Sequence, residues 1–345
     1  MSKPLRWIKA APAPAETEPV LAQTDVQSWR EAGFAFVGNL LPDSLIDEVR
    51  HSAVERLPPA GSDESLAIKD FGSNLVFPSQ IGALNDVTLH PRVMGAVAQL
   101  LGVEISDLRL SQSDLWPKYG RAGITSDLDN TDQRIHIDYP NHTLAHPAEW
   151  SRPEAVEMII YYDDVEQCGG ATAVVPREGP EDPAYPWPIV DSPGIAGLDY
   201  VNDRDAAEAS LAEFRPHVAQ WRASLYEREV HTFFKPGDVL FYRHDTWHRG
   251  TPPHEKSFRL VQNITYRRAE CEWISTLHIG WAWSAYRQNK FLERLIARAS
   301  LAQRAVLGFP QPGSSYWSQA TIAAIVARHG VFGVDMTPYR EGLER

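Results

Sequence analysis

RIHIDYP, which runs from Arg134 to Pro140, is the stretch on which the fold assignment depends. It places His136 and Asp138 on either side of one isoleucine. Strand residues two apart point to the same face, so a strand here aims an imidazole and a carboxylate into one space. Such pairs also arise by chance on the wet side of ordinary strands. The pair alone is therefore weak evidence for a metal site.

Short segments with strand character surround this stretch, from about residue 103 to residue 268. They are rich in β-branched and aromatic residues and are separated by Gly, Pro and Asp turns. Seven of them are LRLSQSDLW from Leu108, IHIDY from Ile135, VEMIIYY from Val156, TAVVP from Thr172, VHTFF from Val230, VLFYR from Val239 and FRLVQNITY from Phe258. The run of strand segments predicts a sandwich or barrel and not a parallel α/β sheet.

Helical patterns flank the β region on both sides. Three segments before it and two after it follow the 3.6-residue period, with proline or capping residues at their starts and glycine at several of their ends. We therefore predict a single domain over residues 25–345. Its mainly β core lies at about 103–268, and a helical C-terminal flank follows at 269–345.

Two segments fall outside this pattern. Residues 1–24 are rich in Pro, Ala and Glu and show no period, which is typical of a flexible N-terminal arm. Residues 177–229 are rich in Pro, Asp and Glu and carry few strand signals. Connections of that length in compact domains are usually functional lids or disordered. We predict a lid insertion over 177–229.

Composition argues against several kinds of partner. The 345 residues are 43% hydrophobic and 23% charged, which is ordinary for a globular protein. The net charge of -12 disfavours nucleic acid, because phosphate backbones bind surplus Lys and Arg. No apolar run approaches the roughly 18–20 residues of a membrane span. We expect a cytoplasmic protein that acts on a small molecule, with neither nucleic acid nor membrane as partner. The oligomeric state is left open.

A second motif, PGDVLFYRHDTWHRGT from Pro236 to Thr251, strengthens the metal interpretation. A Pro-Gly-Asp turn starts a strand that leads to His248, and Arg259 lies eleven residues further on. Two histidines and one carboxylate form the facial triad that usually holds non-haem Fe(II) in oxygenases. His244 competes for the third position, but the residue eleven beyond it is Glu255 and not an arginine, so His248 is preferred.

The motifs follow one another in a recognisable order. They are HID at 136–138, GGATAVVP at 169–176, GDVLFY at 237–242, and His248 with Arg259. Together they resemble the phytanoyl-CoA dioxygenase family of Fe(II)- and 2-oxoglutarate-dependent oxygenases. The likeness covers roughly residues 33–268. It implies a double-stranded β-helix, or jelly roll, with Fe(II) held by His136, Asp138 and His248.

The resemblance also implies a site for the cosubstrate. In this family 2-oxoglutarate and O2 react at the iron, and Arg259 would take the distal carboxylate of 2-oxoglutarate, because its guanidinium can bind a carboxylate through two bonds. Thr172 and Thr251 are weaker candidates for contacts to 2-oxoglutarate. Arg134 stands where related enzymes often carry an amide, and is expected to contact either the cosubstrate or the substrate.

The family pattern is not matched everywhere. Pro176-Arg177-Glu178-Gly179 replaces the usual Pro-Gly-Ser-His, which puts substrate handling in doubt. Asp138 is present, whereas halogenating relatives have a small residue there, so hydroxylation is favoured over halogenation. A cupin-like metalloenzyme that does not use 2-oxoglutarate, such as an isomerase, remains an alternative. So does a non-catalytic binding protein on the same fold.

Overall fold

The computed structural model describes residues 4–15, 19–68, 75–77, 79–122, 131–139, 143–145, 149–185, 202–272, 290–299, 301, 304 and 309–343. Their strands form a seven-stranded sheet in the order β2-β3-β9-β6-β11-β5-β4 and a four-stranded sheet in the order β1-β8-β7-β10. The strands are β1 Trp7–Lys9, β2 Ala11–Pro12, β3 Phe34–Gly38, β4 Leu75–Val76, β5 Leu108–Tyr119, β6 Ala155–Tyr161, β7 Thr172–Val174, β8 Val230–Phe233, β9 Val239–Tyr242, β10 His248–Gly250 and β11 Phe258–Arg268.

Helices lie before, within and after the β region of the described chain. The helices are α1 Gln23–Ala32, α2 Asp43–Val54, α3 Asp63–Ala67, α4 Gly82–Thr88, α5 Pro91–Leu101, α6 Val165–Cys168, α7 Arg204–Phe214, α8 Pro216–Arg228, α9 Phe291–Arg298, α10 Gln319–His329 and α11 Thr337–Glu341. None of the described helices combines the length and the apolar character needed to cross a membrane.

The larger sheet is covered on both faces, which explains its continuous apolar strands. On β6, Val156, Met158 and Ile160 pack with the N-terminal helices in one core. Ile159 and Tyr161, on the opposite face, pack with residues of the smaller sheet in a second core. Alternate residues of β6 therefore face the space between the two sheets. Polar side chains that enter this space are shielded from water.

The N-terminal segment differs from the flexible arm expected over residues 1–24. β1 pairs in parallel with β8 of the smaller sheet, and β2 pairs in parallel with β3 of the larger one. The Trp7 ring lies 5.6 Å from the His231 ring and 5.9 Å from the Phe233 ring. The edge of a sheet presents unpaired N–H and C=O groups. Residues 7–12 satisfy such groups on both sheets, which composition alone did not indicate.

The insertion at 177–229 is partly helical. Its described residues include α7 and α8, while residues 186–201 lie outside the described part of the chain. Arg228 at the end of α8 forms an ion pair with Asp182 at the start of the insertion. Residues 273–289 of the predicted C-terminal flank also lie outside the described residues.

Candidate metal centre

His136 and His248 face each other across two antiparallel segments of backbone. Each donates its N–H to the carbonyl of the other, at 2.9 Å in both directions. Directly paired residues place their side chains on the same face, and the two imidazole rings lie 4.5 Å apart. Asp138 follows on that face: its Oδ1 is 3.7 Å from His136 Nε2, and its Oδ2 is 3.3 Å from His248 Nε2. One ligand atom from each residue lies within 4.8 Å of the others.

The hydrogen bonds of the imidazoles leave the correct nitrogen free for a metal. His136 Nδ1 lies 2.9 Å from the Arg134 carbonyl, and His248 Nδ1 lies 3.0 Å from the Thr246 carbonyl. Since a carbonyl can only accept, each Nδ1 carries a proton, and each Nε2 is the ring atom that faces the cluster and would bind a metal. Burial, reinforced by the nearby His248, lowers the pKa of His136 to about 3. His136 is therefore a neutral imidazole, as a metal ligand must be.

The carboxylate of the cluster is held by the segment that leads to His248. The backbone N–H groups of Asp138 and Tyr139 both donate to the His244 carbonyl, at 3.1 Å each. The Tyr242 hydroxyl donates to Asp138 Oδ2 at 3.0 Å. Burial and then the Asp138 charge raise the pKa of Tyr242 well above its usual value, so the phenol keeps its proton. These residue types fit a divalent metal, because two imidazoles and one carboxylate converge in a buried space.

His244, the competing histidine, is not part of the cluster of His136, Asp138 and His248. Its Nε2 lies 3.0 Å from Glu157 Oε1, and the other oxygen of Glu157 accepts from the Thr265 hydroxyl. Burial opposes protonation of His244, but Glu157 raises its pKa on balance. His244 is thus paired with a carboxylate of its own, and the structure brings His136, Asp138 and His248 together without it.

Two buried cations lie side by side beside this cluster. Arg259 on β11 pairs directly with Lys118 on β5, and both side chains are buried. Arg259 donates through Nη1 to the Gly170 carbonyl. Within the described residues, Arg259 Nε and Lys118 Nζ have no hydrogen-bond partner. Burial and then the Arg259 charge lower the pKa of Lys118 well below its usual value. Sequence reasoning found Arg259 but missed Lys118.

The nearby carboxylates are already committed to other cations. Asp132, whose charge also acts on Lys118, forms an ion pair with Arg249 at 2.6 Å. Asp163, whose charge also acts on Arg259, forms an ion pair with Arg50 at 2.9 Å. Asp163 also accepts the Leu260 N–H at 2.7 Å. The cation pair therefore has no counter-charge reserved for it among the residues that the structure describes.

Gly250 connects the metal cluster to the cation pair. It follows His248 by two residues and shares its face of β10. A Cβ at this position would lie 2.9 Å from Lys118 Nζ and 2.7 Å from Gln133 Oε1. Lys118 therefore reaches the strand that carries His248, and the triad and the two cations border the same space between the sheets.

The two candidate threonines lie on different faces of the smaller sheet. Thr172 accepts a hydrogen bond from the Tyr161 hydroxyl at 2.8 Å, within the space between the sheets. The charge of Arg259 also acts on the Tyr161 hydroxyl. Because Thr172 binds that hydroxyl, it lies near the cation pair. Thr251 donates its hydroxyl to the Ala171 carbonyl at 2.8 Å and lines a separate groove.

The comparisons with known proteins place these motifs in a family. A sequence model of the phytanoyl-CoA dioxygenase family matches residues 29–261, two thirds of the chain. The chain belongs to this family. Family membership was predicted from the sequence, and that prediction is confirmed. The phytanoyl-CoA dioxygenase family comprises Fe(II)- and 2-oxoglutarate-dependent enzymes, and the cluster of His136, Asp138 and His248 supplies the ligand set of such enzymes.

Solved structures support the same fold for this phytanoyl-CoA dioxygenase family member. SnoK, a non-heme alpha-ketoglutarate-dependent carbocyclase from nogalamycin biosynthesis, is 19% identical with a TM-score of 0.51, over 75% of this chain and 89% of that chain. EvdO2 from Micromonospora carbonacea var. aurantiaca is 14% identical with a TM-score of 0.51, over 77% and 98%. The predicted jelly-roll fold is confirmed. A search of curated protein sequences found no match.

Arg134 has a positioning contact that the sequence did not reveal for this family member. Its carbonyl orients His136, as described above, and its side chain is almost fully buried at 1% exposure. Its Nη1 donates to the Ile135 carbonyl at 3.4 Å. The guanidinium is therefore in the interior beside the first metal ligand and not at a solvent-exposed entrance.

The insertion also holds the extended segment that carries His136. The Ile135 N–H donates to the Tyr226 hydroxyl at 3.0 Å, and the Ile135 carbonyl accepts from Arg222 at 2.8 Å. Glu208 accepts from both Arg222 and Tyr226, at 2.8 Å each. Side chains of α8 thus satisfy both backbone groups of Ile135, and Glu208 on α7 holds those side chains in place. The described helices of the insertion support the metal centre, a role that was missed when the segment was interpreted only as a lid.

Proposed function

We propose that this chain is a cytoplasmic Fe(II)- and 2-oxoglutarate-dependent oxygenase that hydroxylates an unactivated C–H bond of a small molecule, with release of succinate and CO2. The observation that carries the proposal is the buried pair Arg259 and Lys118 beside the triad of His136, Asp138 and His248. His136, Asp138 and His248 would hold the iron, which together with 2-oxoglutarate would supply the oxidising chemistry for the C–H bond.

The cation pair supports a dianionic cosubstrate. A buried charge without a partner is costly, and two adjacent buried charges of the same sign are more so. A ligand carboxylate between Arg259 and Lys118 would relieve both costs, with the planar guanidinium offering two parallel N–H donors. Since the triad lies across Gly250 in the same space, one molecule can bind the metal with one end and the cations with its other end. This is the chemistry of 2-oxoglutarate.

The remaining polar groups in this space favour the same ligand. Thr172 offers a hydroxyl next to Tyr161, near Arg259, and we assign it to the cosubstrate pocket. Thr251 is occupied by the Ala171 carbonyl, so we assign it no contact. Arg134 supports His136 through its backbone carbonyl, and we keep its buried guanidinium as a contact for the cosubstrate or the substrate.

Two features favour hydroxylation by a 2-oxoglutarate enzyme over the alternatives. The Asp138 carboxylate occupies the position that halogenating relatives leave open, which disfavours halogenation. A cupin-like enzyme without 2-oxoglutarate, or a binding protein, would have no use for the costly pair of Arg259 and Lys118. The pair is explained when the cosubstrate is a dicarboxylate.

Succinate formation tests this function without knowledge of the substrate. Purified protein with Fe(II), O2 and 2-oxoglutarate should release succinate slowly by uncoupled turnover. Asp138→Ala should abolish it, because the anionic ligand is lost, whereas Asp47→Ala on the exposed face of α2 should not change it. Wild-type protein that binds metal and yet forms no succinate would contradict the proposal, and so would full activity in Asp138→Ala. Thermal melting of the metal-free variants checks that they fold.

A further inference from the structure

Tyr242 touches two of the three proposed metal ligands. Its hydroxyl donates to Asp138 Oδ2 at 3.0 Å, and its ring lies 4.7 Å from the His248 ring. The side chain is buried, with 3% of its surface exposed. A tyrosine in this position has a hydrogen-bonding role that a phenylalanine of nearly the same shape cannot fill.

The position of Tyr242 is fixed by the centre of the larger sheet. It is the last residue of β9 and pairs with Phe34 on β3 and with Glu157 on β6. Strands on both sides therefore hold its backbone. The chain then continues directly to the His244 carbonyl, which binds the Asp138 N–H. The segment from Tyr242 to His244 therefore binds Asp138 at both its backbone and its carboxylate.

The hydroxyl determines how the carboxylate is presented. An aspartate carboxylate can rotate about its last bond and can bind a metal through one oxygen or through two. A donor at Oδ2 restricts this rotation and draws charge from the oxygen that it binds. Partners of this kind, which act on a ligand and not on the metal, typically change metal affinity by about 10- to 100-fold.

We propose that Tyr242 is a positioning residue that orients the Asp138 carboxylate for metal binding. The inference rests on the proposed metal centre and goes beyond it, because Tyr242 is not itself a ligand. A rotated carboxylate would occupy a coordination position that 2-oxoglutarate or O2 requires. The Tyr242 hydroxyl keeps that position open.

Co(II) binding to metal-free protein tests the inference by affinity and by the visible spectrum of the bound ion. Tyr242→Phe should bind Co(II) about 10- to 100-fold more weakly than wild type and should show an altered spectrum. Tyr266→Phe is the matched control, since it removes another buried tyrosine hydroxyl, which donates to the Thr88 carbonyl away from the site. It should bind Co(II) as wild type does.

A double-mutant comparison separates positioning from a general loss of structure. In the Asp138→Ala background, Tyr242→Phe should cause no further loss of Co(II) affinity, because the group through which Tyr242 acts is gone. Unchanged affinity and spectrum in Tyr242→Phe would overturn the inference while leaving the proposed function intact. Wild-type protein that does not bind Co(II) would overturn both. If Tyr242→Phe does not fold, Tyr242→Met removes the donor at similar volume, with the same expected loss.

Discussion

Replacement of Arg259 by lysine is the sharpest test of the cosubstrate site. The substitution keeps a positive charge but removes the planar fork that can bind a carboxylate through two parallel hydrogen bonds. It also removes the bond from Nη1 to the Gly170 carbonyl, which holds the guanidinium in place. Arg259 is buried beside Lys118, so solvent screens the loss only weakly.

The size of the effect follows from the bonds that are lost. A hydrogen bond to a charged group contributes about 1.5–3 kcal/mol. Lysine retains one such bond of the two, so the expected loss of binding free energy is about 1.5–3 kcal/mol. At about 1.4 kcal/mol for each factor of ten, 2-oxoglutarate should bind roughly 10- to 150-fold more weakly.

Two assays measure this change. Calorimetric titration of 2-oxoglutarate into Co(II)-loaded protein gives the Kd, and succinate formation at increasing 2-oxoglutarate gives the apparent KM. Arg267→Lys, eight residues further along β11 and thus about 27 Å away, is the control and should match wild type. A Kd within twofold of wild type in Arg259→Lys would refute the assignment of this residue to the distal carboxylate.

Two further predictions concern residues that the structure adds to the site. Lys118→Met should weaken 2-oxoglutarate binding without weakening Co(II) binding. In wild type, the lowered pKa of Lys118 should rise when a carboxylate binds beside it, so the binding of 2-oxoglutarate takes up a proton. The affinity for 2-oxoglutarate should therefore fall as the pH rises through the pKa that Lys118 has in the ligand-free protein. Titrations in buffers of different ionisation enthalpy would detect that uptake, and its absence would contradict a carboxylate beside Lys118. Arg222→Met should lower the melting temperature and the Co(II) affinity together, because Ile135 next to His136 loses its support; unchanged Co(II) affinity would show that the insertion does not position the ligand.

The ligands could be predicted from sequence because their geometry is local. His136 and Asp138 share a face through the two-residue period of extended backbone. The strand predicted from Ile135 is reduced in the structure to a single bridge between His136 and His248, yet the two side chains still converge. His248 and Arg259 were found through their spacing within one family motif. In each case a short stretch of sequence contains the whole pattern from which the residue was predicted. The structure brings His136, Asp138 and His248 together in one buried cluster.

The supporting residues could not be predicted because their partners are chosen by strand register and packing. Tyr242 and Asp138 are 104 residues apart in sequence. Lys118 faces Arg259 only because β5 and β11 pair in one particular register. A shift of that register by one residue would place Lys118 on the opposite face of the sheet. The composition of the insertion likewise gave no sign that Arg222 would bind the backbone beside His136.

Gly250, and not the hydroxyl expected from Thr251, lies between the metal cluster and the pair of Arg259 and Lys118. The neighbours of position 250 explain why this residue is a glycine. A ligand that binds the metal at one end and Arg259 and Lys118 at the other must pass over the inward face of β10. At that point even a methyl group would meet Lys118 Nζ at 2.9 Å and Gln133 Oε1 at 2.7 Å. Alternation along the strand turns Thr251 to the other face, where it binds Ala171. The absence of a side chain at position 250 therefore leaves room for the side chains of Lys118 and Gln133 against this strand, and Lys118 supplies the polar contact that a hydroxyl on this strand would otherwise make.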